Sequence, residues 1–291
     1  MTRRRPLLAT AAMAAIAPAH AAPVPPGSHR IVFAEERGNP PGPMEVYLHR
    51  PTTWQPDGPV VVVMHGNQRN PDLYRDAWVP HAEAFGFLLV CPGYSEAHFP
   101  GTRWYNFGNA VDGDGRAQPA AAWSFGALDD AVAAARAACG GIGTDYALYG
   151  HSAGAQFVHR ALLLTGLPHA RRIVIANAGS YAMPRFDVAF PFGLGGTAAS
   201  EAALAAALGR PVVILLGDRD TDPQHESLPR GPQAEAQGPH RMARGLAFYA
   251  AAREAAQRLR TPFAWQLEIV PGIGHSNSGM AVAAAPLLIG G

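Results

Sequence analysis

Three stretches of this chain, residues 59–64, 86–91 and 211–216, are continuously apolar and rich in valine, isoleucine and leucine. A strand with one face in water alternates apolar and polar residues, so unbroken runs this short belong to strands buried on both faces. Segments of helical period separate them. Phe125, Leu128, Val132 and Ala135 fall at steps of three and four, and Gly140-Gly141 stops that helix. Strand–helix alternation of this kind predicts an α/β fold with a mostly parallel central sheet and helices on both faces.

The remaining elements follow from punctuation. Residues 29–36 and 44–49 read as two short leading strands parted by Gly38-Asn39-Pro40-Pro41-Gly42-Pro43, which must turn. Residues 72–85 are helical in pattern, with Pro80 kinking the helix or starting a second segment. Residues 172–176 make a further strand and 198–208 a helix. Met242, Leu246, Tyr249, Ala252, Ala256 and Leu259 mark the apolar stripe of a long helix, residues 263–270 the last strand and 277–289 the closing helix. The long stretch 92–120 is rich in glycine, proline and aromatics. Its Trp104, Tyr105 and Phe107 either line a cleft or pin the loop to the body.

The stretch with the most chemical content is Tyr146-Ala147-Leu148-Tyr149-Gly150-His151-Ser152-Ala153-Gly154. An apolar strand runs into a tight turn and then directly into a helical pattern. A serine at that apex is pushed clear of the backbone, which makes Ser152 a candidate nucleophile. A side chain at Gly150 or Gly154 would crowd the neighbouring strand or helix. The N–H of Ala153, at the helix N-terminus, points where a substrate oxyanion would form. Downstream, the strand 211–216 ends in Gly217-Asp218-Arg219-Asp220-Thr221-Asp222, and the last strand in Pro271-Gly272-Ile273-Gly274-His275. An acid that orients a histidine, and a histidine that serves a serine, are both sought at such strand ends. Twelve histidines are present, and element order singles out His275.

Composition bounds the alternatives. With 291 residues, 48% apolar and 15% charged, the chain suits one large packed domain. All 23 basic residues are arginine, nearly balanced by 22 acids, with no basic stripe, so nucleic acid is not expected as a partner. Arg3-Arg4-Arg5, the short apolar run 7–17 and Ala19-His20-Ala21 read as a signal peptide over 1–21, faintly of twin-arginine type. The apolar run is too short to span a membrane. A product in the periplasm or medium, without a stable membrane anchor, is expected. Cys91 and Cys139 are expected at opposite edges of the sheet, as two free thiols. Asp112-Gly113-Asp114-Gly115 lacks the further ligands of a calcium loop, and no metal or organic cofactor is expected.

The order Ser152, Asp220, His275 matches α/β-hydrolases and differs from chymotrypsin-like and subtilisin-like enzymes. From the His65-Gly66 turn to the His275 loop the chain resembles that superfamily. Gly150-His151-Ser152-Ala153-Gly154, Ala176-Asn177-Ala178-Gly179 and Pro191-Phe192-Gly193-Leu194 are similar to exported esterases of the polyhydroxybutyrate-depolymerase-like kind. The resemblance implies a single catalytic domain over 22–291 and a triad of Ser152, Asp220 and His275. Asp218, Asp222 and Asp187 remain open as alternatives for the acid. It further implies a second oxyanion donor in the N–H of Asn67, a small lid at about 178–208, and a structural role for His65. Trp104, Tyr105 and Phe192 are candidate substrate contacts. The implied activity is hydrolysis of short-chain or oligomeric esters, or of a polyester, through an acyl-enzyme. The alternatives are a polysaccharide deacylase or feruloyl-type esterase, and a non-catalytic binding protein on the same fold.

Overall fold

The computed structural model describes residues 22–290; the expected signal peptide, residues 1–21, lies outside the described residues. Eight strands, β1 (Gly27–Glu35), β2 (Gly42–Arg50), β3 (Val60–Met64), β4 (Leu88–Gly93), β5 (Tyr146–His151), β6 (Ala170–Ala176), β7 (Val212–Gly217) and β8 (Trp265–Val270), form one sheet in the order β1-β2-β4-β3-β5-β6-β7-β8. β1 pairs antiparallel with β2, and β2 with β4. Every pairing from β4 through β8 is parallel. The helices are α1 (Pro71–Phe85), α2 (Gly101–Trp104), α3 (Ala127–Cys139), α4 (Ala153–Thr165), α5 (Glu201–Leu208), α6 (Pro232–Glu235), α7 (Arg241–Leu259) and α8 (Asn277–Ile289).

The unbroken apolar runs serve two cores at once. In β3, Val60, Val62 and Met64 face the layer of α3, α4 and α7, while Val61 and Val63 face α1 and α8. β4 divides the same way, with Leu88 and Val90 on one side and Leu89 and Cys91 on the other. Successive strand side chains point to opposite faces, so a strand sandwiched between helix layers has no position for a polar residue. Each fully buried aliphatic side chain contributes about 1.5–3 kcal/mol. β1, at the sheet edge, alternates between exposed and half-buried instead.

Several expectations change in detail. α1 runs through Pro80 as one helix and ends at Gly86 in a left-handed cap. Cys91 and Cys139 are both buried and free, but they are not at opposite edges, because α3 packs against β1, β2 and β4. The sheet itself separates them, since Cys91 lies in the α1/α8 layer and Cys139 in the other. On α7 the inward face is Arg241, Arg244, Gly245, Phe248, Ala252, Ala255 and Ala256, and Leu246 is exposed. Ala252 and Ala256 of the expected stripe are buried and Tyr249 and Leu259 pack on the core, but at the start of the helix buried carbonyls hold an arginine inside: Arg244 donates to the carbonyls of Gly179, Pro229 and Gly238 at 2.6–2.9 Å.

The 92–120 stretch is pinned down. Tyr94, Phe99 and Tyr105 are buried, and Tyr94 packs against Phe99, Tyr105 and Phe157 with centroids 4.6–5.2 Å apart. Asp112 takes the N–H groups of Asp114 and Arg116 on one carboxylate oxygen, which makes the acidic stretch a side-chain-closed turn.

The junction of β5 and α4 is the tightest approach near the sheet centre. A Cβ on Gly154 would overlap the carbonyls of Met64 and His65 at the end of β3, and one on Gly150 would overlap the carbonyl of Gly154. Both obstacles are backbone and cannot swing away. Gly154→Ala is therefore expected to cost about 1–3 kcal/mol, read as a lowered midpoint in chemical denaturation. An unchanged midpoint would show that the junction relaxes.

Candidate active site

Ser152 sits between β5 and α4 with φ 58° and ψ −117°, a backbone conformation that is strained for any residue with a side chain. Two backbone bonds hold it there. Its N–H donates to the Ala176 carbonyl at 3.0 Å, and its carbonyl accepts from the Gln156 N–H at 3.1 Å. Asp220 follows β7 and His275 follows β8, so all three residues emerge at the same end of the parallel strands β5, β7 and β8, with β6 between the first two.

The three side chains form one line. Ser152 Oγ lies 3.0 Å from His275 Nε2, and His275 Nδ1 lies 2.7 Å from Asp220 Oδ2. A carboxylate only accepts, so Nδ1 carries the proton and Nε2 is left to accept from the serine hydroxyl. The other acids are engaged elsewhere. Asp218 takes the Gly272 N–H at 2.7 Å, Asp222 the Gln224 N–H at 2.8 Å, and Asp187 pairs with Arg185. Asp218 thereby braces the loop that carries His275.

Asn177 completes this scaffold. It is fully buried at φ 50°, at the end of β6. Its Oδ1 accepts from the Gly217 N–H at 3.0 Å and its Nδ2 donates to the Gly274 carbonyl at 3.3 Å. One amide thus joins the loop of Asp220 to the loop of His275.

Burial pushes the His275 imidazole below its ordinary pKa of 6.5. The hydrogen bond that His275 donates to Asp220 opposes that shift, and the charges of Arg241 and His225 add to it. The ring is therefore neutral, and able to accept a proton, at pH values where a solvated histidine is partly charged. Behind it, His151 is buried with its ring centroid 4.7 Å away and its Nδ1 3.1 Å from the Tyr74 hydroxyl. Burial holds His151 far below the ordinary histidine value, so it is a neutral neighbour.

The cleft over Ser152 has a volume of about 360 Å³ and is walled by Gly66, Asn67, Gln68, Asn70 and Tyr74 on one side. His225, Glu226, Ser227 and Asn277 complete the lining. Asn67 is thus at the cleft, and Ala153, the first residue of α4, is buried beneath it with no acceptor available inside its own helix. His65 is fully buried, close to Gly66 O (2.9 Å) and taking the Tyr94 N–H on Nε2 (3.2 Å), so it shapes the loop and does not reach Ser152.

The expected substrate contacts do not line this cleft. Tyr105 is fully buried, its hydroxyl donating to the His65 carbonyl at 2.6 Å, and Trp104 packs on the core. Phe192 belongs to a different cavity, with Met183 and Val188. The segment 178–208, expected as a lid, supplies no lining residue either. Polar residues of α4 hold it down: Gln156 accepts from the Ser180 hydroxyl, His159 accepts from the Ala182 N–H, and Arg160 donates to the Pro191 carbonyl. The loop 224–239, read from the sequence only as polar and irregular, provides the wall instead. Its His225, Glu226 and Ser227 carry no local motif, and nothing short of the folded loop would have placed them.

Among the described residues there is no cluster of histidine, cysteine and acidic side chains able to hold a metal ion, and no helix long and apolar enough to cross a membrane.

The chain matches no family model, and no curated protein matches it. Solved structures do. It is 41% identical to poly(aspartic acid) hydrolase-1 from Sphingomonas sp. KT-1, over 91% of this chain and 99% of that one, with a TM-score of 0.86. It is 39% identical to LpqC, a poly(3-hydroxybutyrate) depolymerase from Bordetella parapertussis, over 90% and 89% of the two chains, with a TM-score of 0.83. The siderophore hydrolase EstB from Aspergillus nidulans shares the fold at 16% identity, over 92% and 96%, with a TM-score of 0.55. With this sheet order, these strand-end loops and identities of that size over nearly the whole length, the chain belongs to the α/β-hydrolase family of esterases that resemble poly(3-hydroxybutyrate) depolymerase.

Proposed function

We propose that the protein is a serine esterase that hydrolyses short-chain or oligomeric esters, including oligomers of a neutral hydroxyacid polyester, through an acyl-enzyme. The observation that carries this reading is the unbroken hydrogen-bonded line from Ser152 through His275 to Asp220. In this mechanism Ser152 Oγ attacks the ester carbonyl carbon as its proton passes to His275 Nε2. Asp220 holds the imidazole in the required tautomer and stabilises the imidazolium. The carbonyl electron pair moves onto oxygen, where the N–H groups of Ala153 and Asn67 bind it. A donor of this kind is worth on the order of 3–4 kcal/mol of barrier. Collapse of that intermediate breaks the bond to the alkoxy oxygen, which takes the proton from His275 and leaves as the alcohol. Water then attacks the acyl-enzyme by the same steps and frees the acid and Ser152.

The cleft supports the substrate class. It is small, largely polar and open, because the 178–208 segment is fastened to α4 and does not cover it. Its lining includes one carboxylate, Glu226, and no arginine. A polyanion such as poly(aspartic acid), the substrate named for one relative, would meet no cationic partner there, whereas a neutral polyester such as poly(3-hydroxybutyrate), named for the other, needs none.

The first test is a p-nitrophenyl ester panel from acetyl to long acyl groups, beside release of soluble acid from a 3-hydroxybutyrate polyester. Short esters are expected to turn over best, and Ser152→Ala to abolish turnover in a folded protein. Activity that survives Ser152→Ala, or a folded wild type silent on every ester, would end the reading.

The acid is tested separately. Asp220→Asn should lower kcat by roughly 10⁴-fold through the wrong imidazole tautomer, whereas Asp218→Asn, which only braces the His275 loop, should cost far less. The reverse ranking in steady-state assays would reassign the acid.

We further read Arg3-Arg4-Arg5, the apolar run and Ala19-His20-Ala21 as an export signal. N-terminal sequencing of the protein from its native host should begin at Ala22; retention of Met1 would refute export by this route.

A further inference from the structure

Arg241, the first residue of α7, is buried with its charge inside the fold. Its guanidinium stands 3.5 Å from Asp220 Oδ1, the carboxylate oxygen that His275 does not use. That is an ion-pair distance and long for a hydrogen bond; among the described residues Arg241 Nε and Nη1 have no hydrogen-bond acceptor. Its Nη2 donates to Ser227 Oγ at 2.8 Å. Ser227 in turn directs both its N–H and its hydroxyl at His225 Nδ1, each at 3.2 Å. The His225 ring stands edge-on to His275 with centroids 5.2 Å apart. On the backbone, the Met242 N–H donates to the Asp220 carbonyl at 3.2 Å, so the start of α7 is fastened to the same acid twice.

A guanidinium desolvated this far and only partly hydrogen-bonded is a poor stabilising device, because burying its charge offsets what the ion pair returns. Its place is better explained by what it connects. We propose that Arg241 is a positioning residue that fixes Asp220 and the His225–Ser227 wall of the cleft as one unit around His275. The inference rests on the triad reading above. With one oxygen on His275 and the other facing Arg241, the Asp220 carboxylate has a single productive orientation. With Ser227 held by the same guanidinium, the wall that faces substrate is set relative to the acid and not by the loop alone.

The charge has a second consequence at His275. The ionisable groups facing that ring are Asp220 after β7, Arg241 on α7, His225 on the wall and His151 at the end of β5. Arg241 itself faces Asp220, Asp222 and Tyr181. Of the groups around His275, Arg241 is the permanent cation, so it disfavours a second positive charge on the imidazole. Removing it should make His275 easier to protonate.

The test uses the full chain with Arg241→Met, Arg241→Lys and Ser227→Ala. kcat and KM are measured against pH on an ester that wild type hydrolyses, and the His275 ring is titrated by NMR. In wild type the His275 midpoint should lie below 6.5, and activity should be lost as pH falls through it, because the protonated ring cannot accept from Ser152. For Arg241→Met, kcat should fall by up to about a hundredfold, the scale of a misplacement remote from the reacting atoms, and the His275 midpoint should move to higher pH. Arg241→Lys should keep the low midpoint and still lose kcat, since an ammonium cannot span both partners. Ser227→Ala should raise KM more than it lowers kcat and leave the midpoint in place.

Arg241→Met with the wild-type kcat and midpoint, or with a lowered melting temperature as its sole change, would overturn the proposal. If Arg241→Met does not fold, wild-type kcat in Arg241→Lys together with wild-type KM in Ser227→Ala overturns it instead. A folded wild type inactive on every ester removes the triad reading, and the His275 midpoints of the variants still decide whether Arg241 governs that ring.

Discussion

The close passage of α4 over the end of β3 is the constraint on which the rest of the site depends. Gly154 lies against the carbonyls of Met64 and His65, and Gly150 against the carbonyl of Gly154, so β5 must turn into α4 within one residue. That residue is Ser152, and the turn forces it to a positive φ. Strain of this kind costs on the order of 1–3 kcal/mol and persists only where the surroundings over-determine it. Here they do, through the Ala176 carbonyl on one side and the first turn of α4 on the other. The same turn sets Ser152 on the cleft lining with the N-terminus of α4 directly after it.

Parallel strands then bring the partners within reach. β5, β6, β7 and β8 are neighbours, and their trailing loops open on one edge. The histidine and acid loops are irregular, yet they are joined to one another by the buried amide of Asn177 and by Asp218 on the Gly272 N–H. A hydrogen-bonded line of 3.0 Å and 2.7 Å needs loop positions held to a fraction of an ångström, which loops bonded to one another in this way supply.

Buried polar side chains also decide the shape of the cleft. Gln156, His159 and Arg160 on α4 draw the 178–208 segment onto the body, and Arg244 draws in the carbonyls of Gly179, Pro229 and Gly238. Each satisfies a carbonyl, N–H or hydroxyl that would otherwise be buried unpaired, at about 1–3 kcal/mol apiece. The outcome is a cleft with polar walls from the 66–74 and 225–227 loops and no cover.

The sequence by itself determined the sheet, its helix layers, the junction at Ser152 and the strand-end positions of Asp220 and His275. Those features are local: unbroken apolar runs, glycines that a close approach requires, and loops that follow directly from strands. What only the tertiary structure decided is everything that depends on two distant segments meeting. Tyr105 and Trp104 read equally well as cleft or anchor until His65 and the core were seen to receive them. The 178–208 segment reads as a cover until α4 is seen to hold it down, and Phe192 reads as a substrate contact until the fold places it in a different cavity. The α7 stripe holds at Tyr249, Ala252, Ala256 and Leu259 and fails at Leu246, because Arg241 and Arg244 face inward, a direction that residue type argues against and that only acceptors on other segments make favourable. Cys91 and Cys139 were correctly kept apart, but by the thickness of the sheet and not its width. Apolar burial is additive along a segment and can be read from it. A buried polar group is stable only beside its partner, and the partner is chosen by the fold.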